Sequence, residues 1–390
     1  MRVLFDDQGF VGHHSGVARY FTEIMRRFPN DIVWRLPLVS TSSIYLQAPP
    51  FNLPPHKESL DDFIKKYLKG YSFRGVSRLY GLCARIMPHV FPSGELANAR
   101  SVLAALKEGE FEVFHMTGAH FVRDDWKVVA GKKPIVVTVH DLIPELLGKS
   151  RQVYHCRRKV LAVASHIIAV SHYTKTDLMR MYHVPENKIT VIHHGYLRHS
   201  SEIGYRQALP VSKPYLLYVG KRRGYKNFDF FVKVLAPILR SRLDLKLFCT
   251  SIPFDKRENM LLHDLGIAER VIQAFVPDEQ MPSLFAGAEA FVYPSLYEGF
   301  GIPILDAFAA GCPVLLADAS CFPEIGGEAA LYFDPANESD LKDKLELILG
   351  DSSMSDRVRS EMKARGYSRI RDFSWEKCTQ ETIGVYKSLV

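Results

Sequence analysis

The amino-acid sequence predicts an α/β fold made of two doubly wound domains that face each other across a cleft. Three observations lead to this prediction. The chain has 390 residues, more than a single hydrophobic core normally supports. Short apolar runs alternate with longer helical patterns along the chain. A polar interruption at residues 197–214 divides this alternation into two series of six runs.

Each apolar run is predicted to be a buried strand of a parallel sheet, because strand–helix alternation places helices on both faces of such a sheet. The predicted strands of the first series are residues 2–7, 32–39, 112–118, 134–141, 166–171 and 189–195. Those of the second series are residues 215–220, 245–251, 271–277, 290–295, 313–320 and 330–335. Helical patterns between them include residues 16–28, 172–183, 226–241, 278–287 and 338–349.

The polar interruption sets the predicted domain boundaries. Residues 1–200 are predicted to form the N-terminal domain, 201–213 the linker and 214–373 the C-terminal domain. A last helix at 374–390 is a candidate to cross back to the first domain. Doubly wound sheets bind ligands outside the carboxyl ends of their strands, so the residues just after each strand are the candidates for a site.

Composition and charge narrow the class of protein. The hydrophobic fraction of 47% is that of a globular protein, and the net charge of +7 suits an anionic ligand or a membrane surface without requiring nucleic acid. The six cysteines form no C-x-x-C pair and no zinc spacing, so we expect reduced core thiols in a cytoplasmic protein. We expect no signal peptide, and no spanning helix because no apolar stretch reaches ~18 residues.

Residues 295–311, SLYEGFGIPILDAFAAG, carry two carboxylates eight positions apart, Glu298 and Asp306. The EGFG loop follows a predicted strand, and Pro303 suits the first turn of a helix. The start of that helix offers free amides and the positive end of its dipole, which suit a phosphate, and the glycines allow close approach. Acids on both sides of an anion are explained by a nucleotide sugar, whose diphosphate lies between two sets of hydroxyls.

A group of cations follows the first strand of the second series, where YLLYVG leads into KRRGYKN. Lys221, Arg222, Arg223 and Lys226 stand where they can bind a diphosphate and stabilise it as it departs. The glycine loop GHHSGVARY at 12–20, after the first strand of the chain, is a weak signal by itself. It is not G-x-G-x-x-G, and no dinucleotide fingerprint occurs elsewhere, which argues against a dehydrogenase.

With these motifs the chain resembles the retaining glycosyltransferases of family 4, which have the two-Rossmann architecture called GT-B. The family motif E-G-F-G-x-P-x-x-E stands here as EGFGIPILD, and V-G-R-x-x-x-x-K stands as VGKRRGYK. The segment 166–196 is similar to the family's approach to its linker, and HDLIPE at 140–145 resembles a histidine-bearing loop of one subgroup. The match is weakest over 40–110, the variable acceptor side of this family.

The resemblance implies roles at the matching positions. Glu298 would bind hydroxyls of the donor hexose, Asp306 would bind ribose hydroxyls, and Lys221 and Lys226 would hold the diphosphate. His140 would reach the donor sugar from the opposite domain and completes the expected catalytic set with Glu298, Lys221 and Lys226. The other residues expected to line the donor are Gly16, Gly220, Arg222, Gly299, Phe300, Gly301 and Ile302.

Two positions depart from the family pattern. Asp306 stands for a glutamate and is one methylene shorter, so its ribose contact would be longer or bridged by water. Lys221 stands for an arginine and lacks the planar fork of that side chain. Arg222 and Arg223 are the candidates to compensate. Neither change removes the charge.

The sequence predicts no metal site and no cofactor. The chain has no D-x-D triplet, and adjacent histidines such as His193 and His194 would point in opposite directions on a strand, so we interpret the histidine pairs as loop residues. The resemblance accordingly implies a metal-independent enzyme in which lysines and a helix dipole replace the ion.

The segment 63–87 suggests a further partner. It carries six basic residues and no acidic ones, interleaved with aromatic side chains. Such a segment is suited to an anionic bilayer that presents a lipid-linked acceptor, which would make the protein peripheral at the inner face of the cell membrane. The alternative explanation of the same pattern is a helix whose basic side chains face solvent and whose aromatic side chains form a stripe packed in the core.

The predicted function is transfer of a hexose from a nucleotide-diphosphate sugar of the UDP-glucose or GDP-mannose type to a glycan or lipid-linked acceptor in polysaccharide biosynthesis. The alternatives are a nucleotide-sugar epimerase or a non-catalytic nucleotide-sugar-binding protein on the same fold. A glycosidase would need both carboxylates beside the glycosidic bond that it cleaves. The predicted phosphate-binding helix start between Glu298 and Asp306 argues against this activity. Structural roles for the same residues remain open: a helix-start acid for Glu298, solvated charges for the lysines, and a buried core position for His140.

Overall fold

The structure, a computed structural model, describes residues 1–10, 15–56, 94–118, 125–148, 151–196 and 210–390. The chain divides into two compact units. The first comprises Met1–Ala169, Asp177–Ile192 and Cys378–Val390, and the second comprises Val170–Thr176 and His193–Lys377. Most of the predicted linker and the whole of the basic segment 63–87 lie outside the described residues, and the predicted domain boundaries stay predictions.

The first unit contains a parallel six-stranded sheet among its described residues. Its strand order is β2-β1-β3-β4-β5-β6. The strands are β1 (Arg2–Phe5), β2 (Val33–Arg35), β3 (Val113–Met116), β4 (Ile135–Val139), β5 (His166–Ala169) and β6 (Ile189–Val191). The α-helices that begin in this part of the chain are α1 (Gly16–Arg26), α2 (Ile44–Gln47), α3 (Gly94–Glu108), α4 (Ile143–Leu146), α5 (Arg151–Val163) and α6 (His172–Tyr182).

The second unit contains another parallel six-stranded sheet, with the order β12-β11-β10-β7-β8-β9. Its strands are β7 (Tyr215–Val219), β8 (Lys246–Thr250), β9 (Val271–Ala274), β10 (Ala290–Tyr293), β11 (Val314–Ala317) and β12 (Leu331–Phe333). The later helices are α7 (Phe228–Ser241), α8 (Lys256–Asp264), α9 (Met281–Gly287), α10 (Ile302–Ala309), α11 (Phe322–Gly326), α12 (Glu338–Leu349), α13 (Ser353–Arg369) and α14 (Trp375–Lys387).

The prediction of two doubly wound α/β domains is confirmed, and each of the twelve predicted strands contains an observed one. The observed strands are shorter because several predicted segments extended into the loops that follow them. The central strands, such as β4 and β10, are buried along their whole length, which explains their continuous apolar runs.

In the second sheet the order in which strands are added reverses between β7 and β10. Strands β7 and β10 are neighbours, with Leu216 opposite Ala290, although β8 and β9 lie between them in sequence. From β7 the sheet grows one way through β8, and from β10 it grows the other way through β11. Ligands of doubly wound sheets bind at the carboxyl ends of the two strands where this reversal occurs.

The end of α14 belongs to the first unit and packs on its core. Tyr386 is fully buried, and its hydroxyl lies 2.5 Å from Nδ1 of His115, while Nε2 of His115 lies 2.8 Å from the Thr138 hydroxyl. Burial lowers the pKa of His115 to about 3, so the imidazole is neutral. The polar groups of this interior contact are therefore satisfied without a buried charge.

Among the described residues, no helix combines the length and the apolar character needed to cross a bilayer. The five described cysteines are buried and form no disulfide with one another: Cys156, Cys249, Cys312, Cys321 and Cys378.

The loop after β6 approaches the start of α14 so closely that only glycine fits. A Cβ at Gly195 would lie 2.1 Å from the backbone nitrogen of Trp375 and 2.6 Å from the carbonyl carbon of Ser374. Backbone atoms cannot move aside as a flexible side-chain end can, so the segment would have to shift. The glycine at this position is thus required by packing.

We predict that Gly195→Ala destabilises the protein by about 1–3 kcal/mol or more, because it overpacks a site bounded by backbone. Gly384→Ala is the matched control: it lies in α14 with nothing within 4 Å of the added Cβ, and helix propensity predicts a gain of up to about 1 kcal/mol. Thermal unfolding of both variants tests the prediction. Equal unfolding midpoints for the two variants would contradict it.

Candidate functional site

The EGFG loop lies between β10 and α10, at the carboxyl end of its strand. Gly301 is the residue just before the helix and has φ of +88°, a conformation that favours glycine. A Cβ there would also lie 3.0 Å from Cδ1 of Ile304. Ile302 and Pro303 then open the helix with the amides of its first turn facing outward along the axis. The predicted loop and helix start are therefore present.

The second loop follows β7, next to β10 in the sheet. Gly220 has φ of +106°, and a short 3-10 turn, Gly224–Lys226, leads into α7. The Tyr218 hydroxyl donates to the carbonyl of Lys221 at 2.9 Å. The backbone nitrogen of Leu296 donates to the carbonyl of Tyr225 at 2.7 Å. The two loops are thus joined directly through their backbones.

Lys226 and Glu298 form the central contact of the site, with Lys226 Nζ donating to Glu298 Oε1. Their side chains retain only 13% and 11% exposure, so the pair is largely withdrawn from water. Lys226 Nζ also lies 3.5 Å from the Tyr293 hydroxyl and 5.3 Å from the centre of its ring. Burial raises the pKa of Tyr293 well above its usual range, and the charge of Glu298 and a hydrogen bond to it act in the same direction. The phenol therefore stays protonated beside the carboxylate.

The backbone of the glycine loop is held by hydroxyl groups that the sequence did not single out. Ser171 Oγ donates to the carbonyl of Gly299 at 2.8 Å, and Thr174 Oγ1 approaches the same oxygen at 3.4 Å. Both side chains are fully buried. On the other side, the backbone nitrogen of Glu298 donates to Ser320 Oγ at 3.1 Å. Two of these contacts link positions more than 120 residues apart, so no local pattern could reveal them.

The ring of Phe300 is anchored by aromatic neighbours. It stacks on His194 with centroids 4.4 Å apart, and His194 in turn stacks near Trp375 at 6.0 Å. Phe373 meets Phe300 edge-on at 5.9 Å. Since Phe300 is buried, its ring fixes the loop, and its backbone amide is the part that remains a candidate for donor binding.

The structure divides the cations of KRRGYK by role. Arg222 is buried: its Nε lies 3.1 Å from Glu258, its Nη2 donates to the carbonyl of Ile252 at 2.7 Å, and its guanidinium lies 4.5 Å from the Phe254 ring. Arg222 therefore has a structural role here, and phosphate binding by this residue stays a prediction.

The two exposed cations of this motif differ in their surroundings. Arg223 pairs with Asp255 at 2.7 Å on the surface, and Lys221 is exposed next to Gly220. Asp306 is half-buried in α10, so its ribose contact stays a prediction.

Two further predicted residues belong to the first unit. Gly16 is the first residue of α1, whose N-cap Ser15 accepts from the backbone nitrogen of Ala18 at 3.4 Å. His140 packs edge-on against the rings of Tyr20 at 5.0 Å and Phe21 at 5.7 Å. Their roles toward the donor stay predictions. The structure thus joins Glu298, Lys226 and the glycine loop in one unit.

Two protein-family models and several individual proteins resemble the chain in sequence. The family model described as Glycosyl transferases group 1 matches residues 202–367, and the model described as Glycosyltransferase Family 4 matches residues 73–196. The O-antigen chain mannosyltransferase B of Escherichia coli is 33% identical over 277 residues, which cover 65% of this chain and 70% of that protein. The O-antigen chain mannosyltransferase RfbU of Salmonella typhimurium is 27% identical over 237 residues, covering 56% and 65%.

Solved structures resemble the fold along the whole chain. The structure of Anabaena Alr3699/HepE in complex with UDP and glucose has a TM-score of 0.69 at 16% identity and covers 100% of this chain and 99% of that one. The lipopolysaccharide outer core galactosyltransferase WaaB, in its apo form, has a TM-score of 0.62 at 15% identity and covers 100% of both chains. At these identities the likeness concerns the fold, which is GT-B. The chain belongs to the family 4 type of glycosyltransferases.

Proposed function

We propose that this glycosyltransferase transfers mannose, with retention of anomeric configuration, from a nucleotide-diphosphate sugar to a glycan or lipid-linked acceptor in polysaccharide biosynthesis. The observation that carries the proposal is the contact between Lys226 and Glu298. It lies at the carboxyl ends of the two strands where the sheet order reverses, beside an amide-bearing glycine turn. A cation for phosphate and an acid for hydroxyls are thereby held side by side.

The choice of mannose rests on the relatives rather than on the site. Two of the matched proteins are named O-antigen chain mannosyltransferases. A donor of the GDP-mannose type follows from that likeness. UDP-glucose is the competing donor, because UDP and glucose are bound in a structure of the same fold.

The site supports departure of a nucleoside diphosphate in chemical terms. When the bond between the sugar C1 and the phosphate oxygen breaks, negative charge develops on that oxygen. The proposal assigns the stabilisation of this charge to Lys226, Lys221 and the amides at the start of α10. Lys226 and Glu298 are paired with each other, and in this scheme a donor phosphate takes the place of Glu298 beside Lys226, which leaves the carboxylate to accept from sugar hydroxyls.

Retention follows if the acceptor attacks on the face that the diphosphate leaves. The acceptor oxygen then forms the new bond to C1, and its proton passes to the departing phosphate oxygen, so charge and atoms balance without a covalent enzyme intermediate. No metal enters this scheme. A cytoplasmic location and attachment through residues 63–87 to an anionic membrane stay predictions.

A screen of donors tests the proposal. GDP-mannose should raise the unfolding temperature more than UDP-glucose, since a ligand that binds the folded state stabilises it by about 2.7 kcal/mol at a hundredfold excess over its Kd. Incubation with acceptor should give an α-linked product from an α-linked donor, as read by NMR coupling constants. Stabilisation by no nucleotide-diphosphate sugar, or an inverted product, would overturn the proposal. Sugar isomerisation without acceptor would favour an epimerase instead.

Replacing the lysine tests the leaving-group role. Lys226→Ala should lower kcat by about 100-fold or more, because a charge-stabilising group acting in the transition state is removed. Lys233→Ala, on the exposed face of α7, is the matched control and should keep full activity. Since Lys226→Ala leaves Glu298 without its cation, the double variant with Glu298→Gln should recover any lost stability but no activity. Near-normal kcat in Lys226→Ala would exclude the role.

Removing a hydroxyl tests how the glycine loop is held. Ser171→Ala should raise the KM for the donor about twofold to tenfold, because the Gly299 carbonyl loses a hydrogen bond that orients the following amides. Ser171 Oγ also accepts from the backbone nitrogen of Thr174 at 3.1 Å, as an N-cap does. Ser352→Ala, which removes the N-cap of α13, controls for this loss and should leave the KM unchanged. Equal KM values in the two variants would refute the positioning role.

A further inference from the structure

Three potential metal ligands from separate segments meet in the second unit. His172 is the first residue of α6, His193 lies in the loop after β6, and Glu324 lies in α11. One ligand atom of each lies within 4.8 Å of the other two. His172 is exposed, and the side chains of His193 and Glu324 retain 31% and 18% exposure, so an ion from solvent can reach them. No local sequence pattern reveals this group, because its members are up to 152 residues apart.

The carboxylate of this group is oriented by the backbone. Glu324 accepts from the backbone nitrogen of His172 at 2.8 Å and from that of Tyr173 at 3.2 Å, which are amides at the start of α6. His193 Nε2 lies 2.6 Å from Oε1 of the same carboxylate. The two amide hydrogen bonds hold the Glu324 carboxylate in a fixed orientation.

We infer that His172, His193 and Glu324 form a binding site for a divalent transition-metal ion of the zinc type. Two imidazole nitrogens and one carboxylate oxygen are a ligand set that Zn²⁺ accepts, with a fourth position left for water. Mg²⁺ and Ca²⁺ prefer oxygen ligands, so the two histidines disfavour them. The amide hydrogen bonds to Glu324 supply the outer contacts that metal-binding carboxylates normally receive.

Small movements bring the ligands to coordination distance. Tetrahedral Zn²⁺ at about 2.0–2.1 Å from each ligand needs ligand atoms roughly 3.3 Å apart. His193 and Glu324 are closer than this, and the exposed ring of His172 can rotate toward them. The ion then replaces the direct contact between His193 and Glu324, while Glu324 keeps its amide donors.

The proposed ion joins the segments that support the glycine loop. Ser171, which donates to the Gly299 carbonyl, directly precedes His172, and the His193 ring lies 5.9 Å from that of Phe300. Metal binding would therefore stiffen the support of the donor loop without entering the reaction. The site is separate from Lys226 and Glu298, so the proposed function does not depend on it.

Calorimetric titration of chelator-treated protein with ZnCl₂, without donor, tests the proposal. The unaltered chain should bind one equivalent that Co²⁺ can replace, with the visible absorption of a four-coordinate site. His172→Ala and Glu324→Gln should each weaken this binding about tenfold or more. His263→Ala, an exposed histidine of α8, is the matched control and should bind as the unaltered chain does.

The variants are chosen so that loss of folding cannot imitate loss of binding. His172 is exposed, and its backbone amide, which Glu324 uses, survives in His172→Ala. Without metal, the unfolding temperature of this variant should match that of the unaltered chain. Zn²⁺ should raise the unfolding temperature of the unaltered chain but not that of the variant. Absence of Zn²⁺ binding by the unaltered chain, or unchanged binding by His172→Ala, would overturn the site.

Discussion

The ion pair between Lys226 and Glu298 depends on one property of the second sheet, the adjacency of β7 and β10. Each strand delivers a loop to the same edge, and the hydrogen bond between Leu296 and Tyr225 locks the two loops together. Opposite charges in this largely buried position attract more strongly than they would in water. In this arrangement each of the two charges has an oppositely charged partner.

The glycine loop owes its shape to groups outside itself. Ser171 binds the Gly299 carbonyl, Ser320 accepts from the Glu298 amide, and His194 stacks on the Phe300 ring. A turn held in this way is preorganised, and preorganised groups need little reorganisation when charge develops. The residues that shape the loop are therefore as much a part of the site as those expected to touch the donor.

The motif KRRGYK shows how one pattern divides into different roles. Arg222 forms an ion pair with Glu258 in the interior, and Arg223 forms one with Asp255 at the surface. Lys226 pairs with Glu298 in the site, while Lys221 is exposed. A buried arginine without a carboxylate would be costly, so the Glu258 contact is a condition for folding this loop. Because three of the four cations are paired with carboxylates, the net positive charge around the motif is smaller than the sequence of the motif suggests.

The α/β class, the twelve strands and the two loops could be predicted from the residues alone, because apolar periodicity and turn residues are local signals. Glu298 and Lys226 could also be singled out, because residues that follow a buried strand lie at the carboxyl end of the sheet. The three-dimensional arrangement was needed to show that these two residues touch, that Arg222 turns inward, and that Ser171 supports the loop. It likewise brought Glu324 to two histidines that sequence analysis had treated as ordinary loop or helix positions. The physical reason is that strand order and packing, which no short pattern encodes, set the distances between residues far apart in the chain.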